Sequence, residues 1–420
     1  MNNKFYEYPH HVDNKGAGII IRNKQELSDN EILLLKQAEL WLDSVETEAW
    51  TALGTNTQIN YSAHGMFRYF GKFPSTIGTH LLMSYTKEFD QVMDPMAGSG
   101  TTVLESLLLN RHCKSYDVNP LSILLAKVKT TNLDPKLLKE TLNYINQNYQ
   151  PLSSSQFDWK PTGLRDADHW FLPKTQDSLR GLIKLIQAIS DDNIKDFYTI
   201  CLASCIRSVS KATTQQGRLF LDVSTAKEDC LEAFNKKALK NIDIISNIPK
   251  AETHLEIDFH DSHKPYDFID LNDLIIVHPP YFNSYKYSSI NSLELAWLGV
   301  DHSLVRTNEV REFFKIGKAD KVSYYVEDMA LSLDNIAKTL KKNGVLALMI
   351  GDTIIKGNYI KATKLLIDQF LEKNQNIIIE KIVLRVPKYT EASWTASQRR
   401  KKENVGISLN DFIIIFRRIS

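Results

Sequence analysis

Nine consecutive residues, Asp94-Pro95-Met96-Ala97-Gly98-Ser99-Gly100-Thr101-Thr102, constrain this chain more than any other stretch. They follow a short strand-like run, Phe89 to Met93, and precede an apolar helix-like segment, Val103 to Leu109. Glycines between a strand and a helix let the backbone turn tightly and approach a ligand, because neither carries a Cβ. The helix start behind them offers N–H groups that lack intrahelical partners. A second strand-like run, Arg111 to Tyr116, ends at Asp117, nineteen residues after Gly98. A carboxylate at that strand tip is placed to accept hydrogen bonds from ribose hydroxyls. By spacing alone the stretch is a generic nucleotide loop, open to NAD or to a phosphate ligand.

The rest of the chain shows how much protein is organised around that loop. Its 420 residues suffice for one large domain or for several ordinary ones. Hydrophobic residues at 43% and charged residues at 24% are the proportions of a soluble globular protein. A net charge of +1 gives no global field for nucleic acid, so any such surface must be a local patch. Cys113, Cys201, Cys205 and Cys230 form no CxxC pair. That pattern points to a reduced, cytoplasmic protein without a metal site. No apolar run approaches the length of a membrane span.

In order, residues 1–24 read as an irregular arm, and Glu26 to Glu48 has a helical period with Ser28 as its N-cap. Residues 61–75 interleave Phe67, Tyr69, Phe70 and Phe73 with Arg68 and Lys72. This is either a packed aromatic turn or a segment leading into the ligand pocket. Phe89 to Lys129 reads strand, turn, helix, strand, turn, helix, with Asn119-Pro120 starting the second helix. Residues 131–250 turn helical throughout, an insertion in an otherwise alternating pattern. Within it Arg207, Lys211 and Arg218 form a basic run that is either a solvated face or a phosphate-contacting edge. Alternation resumes with strands at His254–Asp258, Leu274–Val277 and Val345–Ile350, and with β-rich segments at Asn376–Val386 and Leu409–Phe416.

A second chemical site follows the apolar strand that ends at Val277. In His278-Pro279-Pro280-Tyr281 the two prolines remove two N–H donors and stiffen the turn. Such a turn presents carbonyl oxygens and one flat aromatic face. A planar heterocycle bearing an amino group suits it. Tyr281 stacks on the ring, while the Pro279 carbonyl and an acceptor at position 278 take the two amino hydrogens. The plain alternative is a strand-ending turn with a surface tyrosine. The first reading is preferred because the turn falls at the same sheet edge as the Gly98 loop.

Together the two stretches resemble the amino-group DNA methyltransferases, which move a methyl from S-adenosylmethionine to adenine N6 or cytosine N4. Their cofactor loop reads DP(F/M)xGSGTT with a glutamate just after, here Asp94 to Thr102 and Glu105. Their catalytic turn reads (D/N/S)PP(Y/F), here with His278 at its first position. The resemblance extends from about Tyr61 to the C-terminus. It implies a Rossmann-like class I methyltransferase sheet, mostly parallel with a C-terminal antiparallel hairpin, plus the inserted helical subdomain. The implied domains are an arm and helix at 1–60, a cofactor half at 61–130, a helical target-recognition insertion at 131–250 and a catalytic half at 251–420. Beyond the loop residues Asp94 to Thr102, the implied cofactor contacts are Phe73, Asp117, Asn119 and Asp261. The implied catalytic residues are His278, Pro279, Pro280 and Tyr281. The implied partners are double-stranded DNA and a cognate restriction or defence protein. A second basic segment, Lys381 to Lys402, holds seven basic residues against one acid and supplies Lys388, Arg399 and Arg400 as further phosphate contacts. Two alternatives stay open: a transfer-RNA guanine methyltransferase, whose loop and turn are similar, and a non-catalytic homologue, because His278 departs from the pattern. A neutral imidazole still has one acceptor nitrogen, and a protonated one has none.

Overall fold

The computed structural model describes residues 4–8, 10–215, 218–224, 227–282, 287–311, 321–355, 358–386 and 411–420. Its strands, in chain order, are β1 (Lys4–Glu7), β2 (Gly18–Asn23), β3 (Glu46–Leu53), β4 (Gln91–Asp94) and β5 (His112–Asp117). A small hairpin follows, β6 (Ala212–Gln215) and β7 (Arg218–Leu221). Then come β8 (Leu255–Phe259), β9 (Asn272–Val277), β10 (Leu340–Gly351), a second small hairpin β11 (Thr353–Ile355) and β12 (Asn358–Ile360), β13 (Ile377–Arg385) and β14 (Asp411–Arg418). Ten of these strands make one sheet, in the order β1-β2-β3-β13-β14-β10-β9-β4-β5-β8.

From β8 through β5, β4 and β9 to β10 every pairing is parallel. β14 runs antiparallel to both of its neighbours, β10 and β13. This is a mostly parallel, doubly wound sheet with a C-terminal antiparallel hairpin. Both faces of its centre are buried, so the central strands are apolar throughout rather than alternating with polar residues. Ile275, Val277, Leu346, Leu348 and Ile350 pack on one face beneath helices Val322–Ala337 and Ala362–Lys373. Leu274, Ile276, Val345, Ala347 and Met349 pack on the other, beneath helices Ser75–Tyr85, Thr101–Leu108 and Pro120–Thr130.

The N-terminal stretch differs from expectation. Residues 1–24 contribute β1 and β2 rather than only an irregular arm. β2 pairs with β3, and β3 pairs in parallel with β13, extending the sheet by three strands. The β-branched run Ile19-Ile20-Ile21 suits a strand, and Ile19 is fully buried. The expected helix also ends early. Ser28 caps it, accepting the Glu31 N–H while the Glu31 carboxylate takes the Ser28 N–H, but it stops at Gln37. Beyond it the chain turns through Glu39, at φ +58°, and enters β3. Pairing of Glu46–Leu53 with two strands outweighs the helical spacing of its apolar residues.

The insertion is helical but not wholly so, because it contains the β6–β7 hairpin. Its helices Pro135–Asn148, Pro173–Gln187, Asp192–Val209 and Cys230–Ile245 bury Leu138, Leu142, Leu182, Phe197 and Phe234. That core continues into Leu121 and Leu125 of the second loop helix and into Trp297. The insertion therefore packs onto the sheet's helical layer and shares its core.

Candidate active site

The glycine loop is shaped mainly by its own neighbours. Asp94, buried at the end of β4, accepts the Met96 N–H at 3.1 Å. The Ala97 N–H donates to the Tyr116 carbonyl and the Gly100 N–H to the Ala97 carbonyl, each at 2.8 Å. Gly98 and Gly100 both have positive φ, +50° and +73°. A Cβ on Gly100 would lie 2.9 Å from the Cβ of Ala126, so the second helix packs on bare backbone there. Lys129 reaches from the same helix, fully buried, and donates to the Ser99 carbonyl at 2.6 Å. At the tip of β5 the Asp117 carboxylate accepts the Gly98 N–H and the Asn119 N–H, both at 2.8 Å.

Burial raises Asp94 to about 7 and Asp117 to about 6; for Asp117 the bonds from Asn119 and Gly98 oppose the rise. Asp117 is thus mostly ionised at neutral pH and close to its titration.

One cavity, with about 780 Å³ of empty space including the open solvent at its mouth, joins this loop to the turn His278–Tyr281. Pro95, Met96, Ala97, Gly98, Ser99 and Thr101 line it from the loop, and Asp117, Val118 and Asn119 from the second strand end. Tyr69, Gly71, Lys72 and Phe73 form another wall, so the aromatic segment does lead into the pocket. His260 and Ser262 contribute from the loop after β8, and His278 and Pro280 from the turn after β9. β4 and β9 are adjacent parallel strands whose carboxyl ends carry the two motifs. Chain order reverses there, at the crevice where open parallel sheets bind ligands.

Several expected residues stand behind the cavity rather than on it. Asp94, Gly100 and Thr102 support the loop from within, and none is among the described lining residues. Asp261 also stays off the wall: its Oδ1 accepts the His263 N–H at 3.1 Å and lies 2.7 Å from His263 Nδ1. Its neighbours His260 and Ser262 face the cavity instead. Tyr281 is not among the described lining residues either. Its ring presses on Gly351, where an added Cβ would lie 2.9 Å from two ring carbons, and its hydroxyl lies 3.2 Å from His278 Nε2. Among the described residues, the tyrosine and phenylalanine side chains lining the cavity are Tyr69, Phe73 and Tyr287. Sequence reasoning did not foresee the wall of Tyr287, Asn308, Glu309 and Val310, since no local motif marks residues that long-range packing brings to a pocket.

His278 sits edge-on to Phe73, with ring centroids 5.4 Å apart. Burial, reinforced by the charge of Arg385, lowers His278 to about 3. Its imidazole is neutral throughout the physiological range. The turn is fixed from behind by Tyr325, whose hydroxyl donates to the Pro280 carbonyl at 2.9 Å.

Of the basic residues expected at phosphate, Arg207 is committed elsewhere. Its guanidinium donates to the buried Glu294 carboxylate at 2.8–3.0 Å and to the Ile290 carbonyl at 2.6 Å. The pair ties the insertion to the helix after the catalytic turn. Lys211 bonds the Asp168 carbonyl. The backbone of Arg218 opens β7, while its side chain lies outside the described residues, as do Lys388, Arg399 and Arg400.

The donor set fits S-adenosylmethionine. Asn119 lines the cavity beside the Asp117 carboxylate, and its buried Nδ2 has no hydrogen-bond partner among the described residues. A donor and a carboxylate at one strand tip match the hydroxyls of a ribose. No group of His, Cys, Asp and Glu side chains among the described residues could hold a metal ion.

The sheet order and the loop define a Rossmann-like class I methyltransferase domain. Residues 17–127 match the family model for DNA methylase. The chain is 24% identical over 256 residues to Type II methyltransferase M.MvaI of Kocuria varians, covering 56% of each protein. It is 26% identical over 284 residues to Type II methyltransferase M.BsoBI of Geobacillus stearothermophilus, covering 59% of this chain and 55% of that one. A third relative, Type II methyltransferase M.MjaII of Methanocaldococcus jannaschii, is 20% identical over 411 residues, covering 73% of this chain and 76% of that one. The match thus spans little more than half the length of the first two relatives.

Proposed function

We propose that this chain methylates the exocyclic amino group of a cytosine (N4) or an adenine (N6) in double-stranded DNA. The observation that carries the reading is the single cavity lined on one side by the Gly98 loop and on the other by His278 and Pro280. S-adenosylmethionine supplies an electrophilic methyl group. Asp117 and Asn119 hold the ribose, and the bare backbone at Gly98 admits close approach. The target base leaves the duplex to reach the cavity, at a cost of a few kcal/mol. Stacking on an aromatic ring returns about 1–3 kcal/mol. Tyr281 serves that role only after its ring leaves Gly351; Tyr287 already faces the cavity.

His278 in its neutral form accepts one amino hydrogen and the Pro279 carbonyl accepts the other, which turns the nitrogen lone pair toward the methyl donor. No strong base is required, because the proton departs after the new bond forms. Rate enhancement then comes from positioning and from exclusion of water. Target recognition is assigned to the insertion at 131–250, with Lys211, Arg218, Lys388, Arg399 and Arg400 as phosphate contacts. A cognate restriction protein is the partner such a methyltransferase serves.

The test is incorporation of labelled methyl into duplex DNA and into transfer RNA, followed by digestion to nucleosides. Labelled N4-methylcytosine or N6-methyladenine from DNA is expected. Label confined to transfer RNA, or none at all alongside tight DNA binding, overturns the reading.

A further inference from the structure

An ion pair that the proposed chemistry does not use lies behind the catalytic turn. Arg385 closes β13, Asp411 opens β14, and the two face each other across the antiparallel ladder. The Arg385 guanidinium donates from Nη2 to Asp411 Oδ2. Asp411 also faces Gly351 at the end of β10. A Cβ on Gly351 would lie 2.9 Å from Asp411 Oδ1 and 2.9 Å from two ring carbons of Tyr281. Carboxylate and tyrosine ring therefore press on the same stretch of bare backbone. Tyr281 in turn meets His278, hydroxyl to Nε2, with the rings edge to face at 5.4 Å. Arg385, Asp411, Tyr281 and His278 form one continuous file into the cavity. Both members of the pair are largely hidden, with side chains 22% and 7% exposed. The Arg385 Nε has no hydrogen-bond partner among the described residues. A half-satisfied, largely buried pair is a poor stability device.

We propose that Arg385, anchored by Asp411, is a positioning residue for His278: it fixes the carboxylate that packs with the Tyr281 ring on the Gly351 backbone, and its positive charge adds to the burial that keeps the imidazole an uncharged acceptor aimed at the amino group. This rests on the reading of His278 as the acceptor of an amino hydrogen. The charged and titratable groups around His278 agree with it. Tyr281 flanks it on its own turn. Lys72 comes from the wall that also carries Phe73, and Arg385 with Asp411 from the strand ends. Tyr287 and Glu309 come from the opposite wall. The carboxylates are engaged, Asp411 by Arg385 and Glu309 by the Ser288 N–H and hydroxyl at 2.9 Å. A protonated ring would present two donors and no acceptor to the base.

The experiment is a pH titration of the histidine rings by NMR in the full chain, with isotope-labelled histidine and His278 assigned by its own substitution. In the unsubstituted protein His278 should remain neutral down to the pH of acid unfolding. Arg385→Met should raise its titration midpoint by about one unit or more, and Arg385→Lys should restore the original behaviour. Where DNA methylation is measured at saturating cofactor, which removes the Asp117 titration from the profile, the acid limb of kcat/KM for DNA should move up with it. Loss of a merely structural residue would lower the whole profile without moving the limb. Should Arg385→Met fail to fold, Arg385→Gln keeps the side-chain length and a donor for Asp411, and the same shift is expected. An unmoved midpoint in a folded, cofactor-binding Arg385→Met or Arg385→Gln protein overturns the proposal, as does a shift equally large in Arg385→Lys. The titration needs no DNA. If the unsubstituted protein methylates no DNA, the functional reading fails while the shift still decides the electrostatic one.

Discussion

The glycine turn and the catalytic turn sit side by side at one sheet edge, yet they are held in different ways. The bonds that shape the Gly98 loop join residues between Asp94 and Lys129. The catalytic turn is held by residues far along the chain: Phe73 against His278, Tyr325 on the Pro280 carbonyl, Gly351 under Tyr281, and Arg385 behind them. One is a local device whose geometry travels with its own sequence. The other is a short motif that acquires its geometry only when a distant loop, a helix and two strand ends assemble. On the proposed reading the first governs cofactor affinity and the second governs transfer, so substitutions should separate the two.

The largest separation is expected at Gly100. Valine there meets Ala126 and a left-handed φ, together costing several kcal/mol at the loop. Gly100→Val should lower S-adenosylmethionine affinity by about a hundredfold or more by calorimetry. Retention of full affinity would break the assignment of the loop. Gly351→Ala should do the reverse. Its methyl displaces the Tyr281 ring and the Asp411 carboxylate. Turnover on DNA should fall about tenfold or more, consistent with about 1–3 kcal/mol of overpacking, while cofactor affinity stays within about threefold. Equal losses of both would show that the two turns are not independent.

A smaller effect is expected from pH, with the sign set by which group titrates. Asp117 is raised to about 6, and on the proposed reading its ionised form accepts the ribose hydroxyls, so cofactor binding is full above that value and weakens as pH falls through it. Between pH 7.5 and 5 the affinity should drop about tenfold, the fraction of carboxylate remaining. His278, lowered to about 3, keeps its neutral form over the same interval. The methyl-transfer rate at saturating cofactor should therefore stay flat. A transfer rate that declines with the binding curve would place a titrating group in the catalytic turn as well.

The same division explains what was legible in the sequence. The loop, Asp117 and the parallel strands around them were readable because each is specified by residues close together: glycines before a helix, an acid at the next strand tip, apolar runs buried on both faces. The N-terminal strands β1 to β3 were not, because short segments such as Lys4–Glu7 become strands only by pairing at the sheet edge. Tyr281 was assigned a stacking face from its motif, but its orientation depends on Gly351, seventy residues on. Arg207 carried a phosphate reading as one of a basic run without acids; its partner Glu294 lies 87 residues away. Charge runs conceal their partners when the partners are remote.

The central claim is that one cavity holds two separable sites, and His278→Ala tests it most directly. S-adenosylmethionine affinity, measured by calorimetry, and methyl incorporation into duplex DNA would be followed in the same preparation. The expected result is affinity within about threefold of the unsubstituted protein and transfer lowered by about a hundredfold or more, as for loss of a charge-positioning hydrogen bond at a reacting group. Undiminished transfer, or affinity and transfer falling together, would contradict it.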